Sequence, residues 1–188
     1  GLFSHSDEKL KKLTVPFVFS TVGSVPENMN KKMFSNIGVD DRKESEKMVE
    51  YLISLGHKDI AIIVAEQEEK SIGMLRLEGY QDALRKHNIE INPALIFPTE
   101  DGIGHFSMEN GYRTAKKLIE SGQRFTAVYA VADALAIGAS RALTEAGYRI
   151  PSDVSLAGYD GIDVSNYIIP SLTTIRQPIE EMAKDTTK

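Results

Sequence analysis

The chain has 188 residues, 41% hydrophobic and 26% charged, with no Trp, no Cys and a net charge of -5. This globular composition can fill one substantial core or two small ones, and the lack of cysteine excludes disulfide scaffolds, thiolate metal sites and cysteine nucleophiles. Interspersed acidic and basic residues leave no basic stripe for phosphate backbones, so the chain by itself is not expected to bind nucleic acid. Its longest apolar runs, such as 60–65, are far too short to cross a bilayer.

In chain order, a helix is expected at about 4–13, followed by a strand at 15–19 (VPFVF). Residues 20–35 carry turn formers without periodicity and read as a surface loop before a strand at 36–39. A helix at 42–54 places Met48, Val49, Leu52 and Ile53 on one stripe, with Gly56 where a left-handed C-terminal residue is wanted. A strand at 59–64 (DIAIIV), a helix at 72–87 and a strand at 94–97 come next. The helix at 107–121 repeats the stripe with Met108, Gly111, Tyr112, Ala115, Leu118 and Ile119. After a strand at 126–130, a helix at 133–146 is capped by Asp133 and closed by Gly147, with Pro151 beyond. Strands at 154–158 and 172–175 and a helix at 178–186 complete the chain. Alternating apolar strands and amphipathic helices predict an α/β fold, a parallel sheet covered by helices on both faces. Both ends fall inside a βα unit, so the chain is expected to be a piece of a longer protein.

Catalytic motifs are absent. There is no GxxxxGK[ST], HExxH, GxSxG or EF-hand loop, and Gly102-Ile103-Gly104 lacks the third glycine of a dinucleotide loop. His5, His57, His87 and His105 stand alone without metal-ligand spacing. No enzyme, no cofactor and no metal is therefore expected.

In open α/β sheets ligands sit at the carboxyl ends of the strands. Residues following the predicted strands are Glu66, Ser71 and Arg76, then Phe106, then Ala132 and Asp133, then Tyr159 and Asp160, then Gln177. Guanidinium, carboxylate and aromatic face together suit a sugar or small polyol. Each has a plainer alternative: Arg76 pairing with Glu78 or Glu66, Asp133 as a structural cap, Phe106 as a core or staple aromatic, and Asp160 as an Asx-turn residue before Gly161.

Six stretches, 37–42 (IGVDDR), 51–60 (YLISLGHKDI), 76–80 (RLEGY), 133–151 (DALAIGASRALTEAGYRIP), 152–163 (SDVSLAGYDGID) and 170–179 (PSLTTIRQPI), together resemble the effector-binding domain of the lactose/galactose repressor (LacI/GalR) family of bacterial transcription regulators. The resemblance runs in order along nearly the whole chain. Periplasmic sugar-binding proteins share the fold, and a transport receptor is the alternative, but GYD followed by PSLTTIRQP is closer to the repressors. The resemblance implies a periplasmic-binding-protein-like fold with residues 1–40 as a partial amino-terminal subdomain, 41–175 as the carboxy-terminal effector-binding subdomain and 176–188 as a return crossover. It further implies a cytoplasmic homodimer with no membrane association, reaching operator DNA only through a helix-turn-helix domain absent from this chain, and a small-molecule effector, a sugar or related compound, in the cleft between subdomains.

By the same resemblance Arg76 and Asp160 contact the effector, Phe106 stacks on it, and Gln177 and Thr21 line the cleft. Ala132 departs from the Asn or other polar residue usual in the family, which removes a polar contact and implies an altered pocket. Asp133 is the helix cap at the cleft. Tyr167, Ile168 and Ile169 are expected either in the dimer interface or buried in their own core.

Overall fold

A computed structural model describes residues 14–20, 34–65, 71–100 and 104–187. The helix expected at 4–13, most of the loop at 20–35, Thr21 and Glu66 lie outside the described residues.

Two parallel sheets organise the chain. The smaller joins β1 (Phe17–Ser20) to β2 (Phe34–Ile37), with Phe17 opposite Phe34. Rings of Phe17, Phe19 and Phe34 lie 5.2 to 6.1 Å apart, and this aromatic cluster begins β2 two residues earlier than the sequence pattern suggests. Helix α5 (Ile179–Thr186) packs on β1 and β2.

The larger sheet has the order β4-β3-β5-β6-β7, all parallel. Its strands are β3 (Ile60–Val64), β4 (Ile96–Pro98), β5 (Ala127–Ala130), β6 (Ser155–Asp160) and β7 (Thr173–Arg176). Every residue of β3 and β5 is buried, which requires helices on both faces and explains why these strands read as unbroken apolar runs. Residues 94 and 95, expected in a strand, belong instead to a 3₁₀ turn (Pro93–Leu95) because Pro93 follows the capping side chain of Asn92, so only 96–98 pair at the sheet edge.

The covering helices are α1 (Asp41–Ser54), α2 (Ile72–Lys86), α3 (Met108–Glu120) and α4 (Asp133–Glu145). Side chains of Asp40, Ser71 and Ser107 cap α1, α2 and α3 by accepting from Lys43, Met74 and Asn110 amides at 3.1 to 3.2 Å. The predicted stripe of α1 is buried at Met48, Val49 and Leu52, and Gly56 takes φ 96° just past the helix. Helices α1 and α2 pack together, as do α3 and α4, and each pair meets at glycine. A Cβ on Gly79 would collide with the Arg42 carbonyl, and one on Gly138 with the Met108 carbonyl. Exposed ion pairs, including Arg42–Asp82 at 2.6 Å and Lys86–Glu50 at 2.7 Å, lace α1 to α2 and add little individually. No helix among the described residues is long and apolar enough to cross a membrane.

Chain order runs outward in both directions from the β3/β5 pair, so the topological switch point of the sheet lies there.

Candidate functional site

A cavity of about 430 Å³ opens at the carboxyl ends of these strands. Five of the residues predicted from position alone, Arg76, Phe106, Ala132, Asp160 and Gln177, line it. Asp41, which follows β2, joins them without having been anticipated; the rule applied to the other strands would have reached it. Val39, Ile72, Ile162 and Ile179 complete an apolar wall.

Arg76 comes from the second turn of α2 and is 3% exposed. Its partner is not Glu78, which pairs with Arg42. Instead Nε and Nη2 donate to Asp41 Oδ1 at 2.9 and 2.8 Å, and Nη1 donates to the Val131 carbonyl at 2.6 Å. The guanidinium carbon sits 3.6 Å from the centre of the Tyr159 ring, a cation–π contact between two buried side chains. Burial disfavours its charge, but Asp41 and Asp160 outweigh that and raise its pKa. Beneath it, Ser45 Oγ donates to the Arg76 carbonyl at 2.6 Å and lies 3.0 Å from the Tyr129 hydroxyl, fixing the backbone from which the side chain projects.

Asp160 ends β6 rather than following it. Its φ of 121° is a strained value for a residue with a Cβ, and such strain persists where surroundings hold it. Gln177 supplies that hold: its Nε2 donates to Asp160 Oδ1 at 2.7 Å and its backbone N–H to the Asp160 carbonyl at 3.1 Å. Arg76 Nη1 reaches the same Oδ1 at 3.4 Å, longer than a charge-assisted bond prefers. Burial pushes the Asp160 carboxyl above its ordinary pKa, while Arg76 and Gln177 pull it down.

Asp133 is not the cap of α4. The cap position is Ala132, with no side-chain cap bond, and Asp133 is the first helical residue. Its buried carboxylate turns away from its own helix because three stronger donors face it: Ile162 N at 2.9 Å, Ser165 Oγ at 2.7 Å and Thr174 Oγ1 at 2.5 Å. It therefore fastens the β6–β7 connection to α4 and does not line the cavity. Ala132 presents only a methyl group there.

The segment 166–170 does not fold into its own core. Tyr167 is 82% and Ile169 98% exposed, with Ile168 half-buried. Among the described residues no group of three or more His, Asp or Glu is placed to hold a metal.

Residues 49–188 match the family model of the periplasmic binding protein-like domain. The HTH-type transcriptional regulator MalR of Clostridium butyricum is 33% identical over 178 residues, covering 95% of this chain and 51% of that protein. A LacI-family regulator from Enterococcus faecium with bound ribose superposes at TM-score 0.76 with 33% identity, over 91% of this chain and 59% of that one. A sugar-binding LacI-family regulator from Escherichia coli complexed with phosphate gives TM-score 0.76 and 31% identity, over 87% of this chain and 55% of that one. The chain spans about half the length of the curated relatives it matches.

Proposed function

Because the chain belongs to the LacI family of transcription regulators, as part of their periplasmic-binding-protein-like effector-binding domain, we propose that the cavity holds a saccharide effector whose binding controls a helix-turn-helix unit outside these residues. The observation that carries this reading is the cluster of buried Arg76 with half-buried Asp160 and Gln177, which lines, together with Phe106, an apolar-walled cavity at the switch point of the sheet. Hydroxyl pairs suit the free lone pairs of Asp160, and Phe106 offers a ring for the apolar face of a sugar. Ala132 contributes contact area but no hydrogen bond.

In this reading residues 41–175 form one wall of the cleft, and residues 1–40 and 176–188, with Thr21, belong to the subdomain opposite. Effector would shift the balance between open and closed cleft by its differential affinity for the two, and a cytoplasmic homodimer would transmit that shift to operator DNA. Tyr167, Ile168 and Ile169 form part of the dimer surface.

Thermal-shift titration of the protein with ribose, cellobiose and maltose tests the site. Ligand at about 100 times its Kd adds about 2.7 kcal/mol, which for a chain of this size raises Tm by roughly 5 to 10 °C. Asp160→Ala is expected to remove the shift with the fold intact. A shift that survives both Asp160→Ala and Phe106→Ala rejects this cavity as the effector site.

A further inference from the structure

Resting on the effector-site reading above, we propose that the cleft selects uncharged ligands, and that Asp41 enforces this by occupying the edge of Arg76 that an anion would need. Arginine recognises phosphate and carboxylate through two parallel N–H groups on one edge of its plane. In this chain the Nε/Nη2 edge is closed by Asp41 at 2.9 and 2.8 Å. The other edge is half closed, because Nη1 donates to the Val131 carbonyl at 2.6 Å and leans on Asp160. One face of the guanidinium is covered by Tyr159. What remains toward the cavity is a single N–H direction, enough for a hydroxyl and too little for a bidentate anion.

Charge count points the same way. Among the described lining residues Arg76 is the single cation and faces two carboxylates, Asp41 and Asp160, which leaves the floor one negative charge in excess. Of the helix amino-termini at this edge, the other common anion receptors, two are already engaged by side chains and the third, that of α4, meets the cavity through alanines that add no side-chain donor. The start of α1 carries Asp41 and Glu44, with Asp40 accepting from Lys43 N. The start of α2 is met by the Ser71 hydroxyl. A phosphorylated sugar or a uronate would bring a second or third negative charge against this floor, and Arg76, already paired, has little left to offset its desolvation. A neutral saccharide meets donors and acceptors that match its hydroxyls.

The test is calorimetric titration of the protein with paired probes: ribose against ribose 5-phosphate, glucose against glucose 6-phosphate and glucuronate, cellobiose, and inorganic phosphate. The expected result is that a neutral sugar binds and its charged counterpart binds at least about 100-fold more weakly, with the neutral Kd unchanged between low and high salt. In Asp41→Asn, which keeps an acceptor for Arg76 and removes the charge, that ratio should narrow at least about tenfold. A purely structural role for Asp41 would weaken both probes alike and leave the ratio fixed, and that outcome overturns the assignment to Asp41. Wild-type protein that binds a sugar phosphate, a uronate or inorganic phosphate as tightly as any neutral sugar overturns the selectivity itself, independent of whether the variant folds. Binding of neither class overturns the effector-site reading, and this inference falls with it.

Discussion

Thr174 donates a 2.5 Å hydrogen bond to Asp133 across 41 residues of chain, joining the middle of β7 to the first turn of α4. The same carboxylate accepts from Ile162 N and Ser165 Oγ, and the carboxylate and its donors lie beside the cavity without lining it, apart from Ile162. Asp133→Ala removes the acceptor and strands three donors, two of them on the segment that leads to Tyr167. Bonds to a charged group contribute about 1.5 to 3 kcal/mol each and are not additive, so a loss of about 3 to 5 kcal/mol is expected in urea unfolding. A loss under about 1 kcal/mol would mean that the connection is held by something else.

Close packing of α3 on α4 gives a second prediction. Gly138 lies against the Met108 carbonyl and the Tyr112 amide, with no room for a methyl group. Alanine is the better helix former by about 1 kcal/mol, so propensity alone predicts that Gly138→Ala stabilises. Overpacking against backbone that cannot move aside is worth about 1 to 3 kcal/mol in the opposite direction and should win. A raised thermal midpoint in Gly138→Ala would show that the helix pair can separate at small cost.

Much of this arrangement is legible in the chain because the signals are local. Continuous apolar runs gave β3 and β5, the stripes gave α1 and α3, and the strand-end rule brought Arg76, Phe106, Asp160 and Gln177 to one cavity. What escaped depends on distance in sequence. Asp41 reaches Arg76 across 35 residues, and nothing near Asp41 distinguishes it from Asp40, which is only a cap. Asp133 was misread for the complementary reason. Its position satisfies the local rule for a cap, but donors from 29 to 41 residues away compete for the same oxygens and prevail. The bounds of β2 and β4 differ from those expected because of an aromatic cluster and a proline.

The exposed pair Tyr167 and Ile169 supplies a third prediction. A tyrosine 82% and an isoleucine 98% exposed, flanking a half-buried Ile168, are unfavourable on a free surface and fit a surface covered by a second copy. Ile169→Lys should convert a dimer to monomer in sedimentation velocity, while circular dichroism stays unchanged because the side chain touches little of its own core. Wild-type protein that sediments as a monomer at concentrations around 100 times those of the assay would remove the interface.

The last prediction concerns acid and a part of the molecule not assigned to the cavity. His57 precedes β3 and bridges two neighbouring strands, with Nδ1 2.9 Å from Thr126 Oγ1 and Nε2 2.9 Å from Ser155 Oγ. Partial burial lowers its pKa below the ordinary value. Both hydroxyls can accept, so an imidazolium here would keep its hydrogen bonds and suffer only from lost hydration. The unfolded chain, with His57 near its usual pKa of about 6.5, binds a proton before the folded chain does. Where the unfolded state holds more protons, stability rises with pH. Full stability should therefore be present above about pH 6.5, decline as the pH falls through that value, and level off for this group below its depressed folded pKa. Urea midpoints between pH 7.5 and 5 measure the slope. His57→Asn should flatten it, by at most one proton's worth, while keeping a polar bridge to Thr126 or Ser155. An equal slope in the variant would place the titrating group elsewhere.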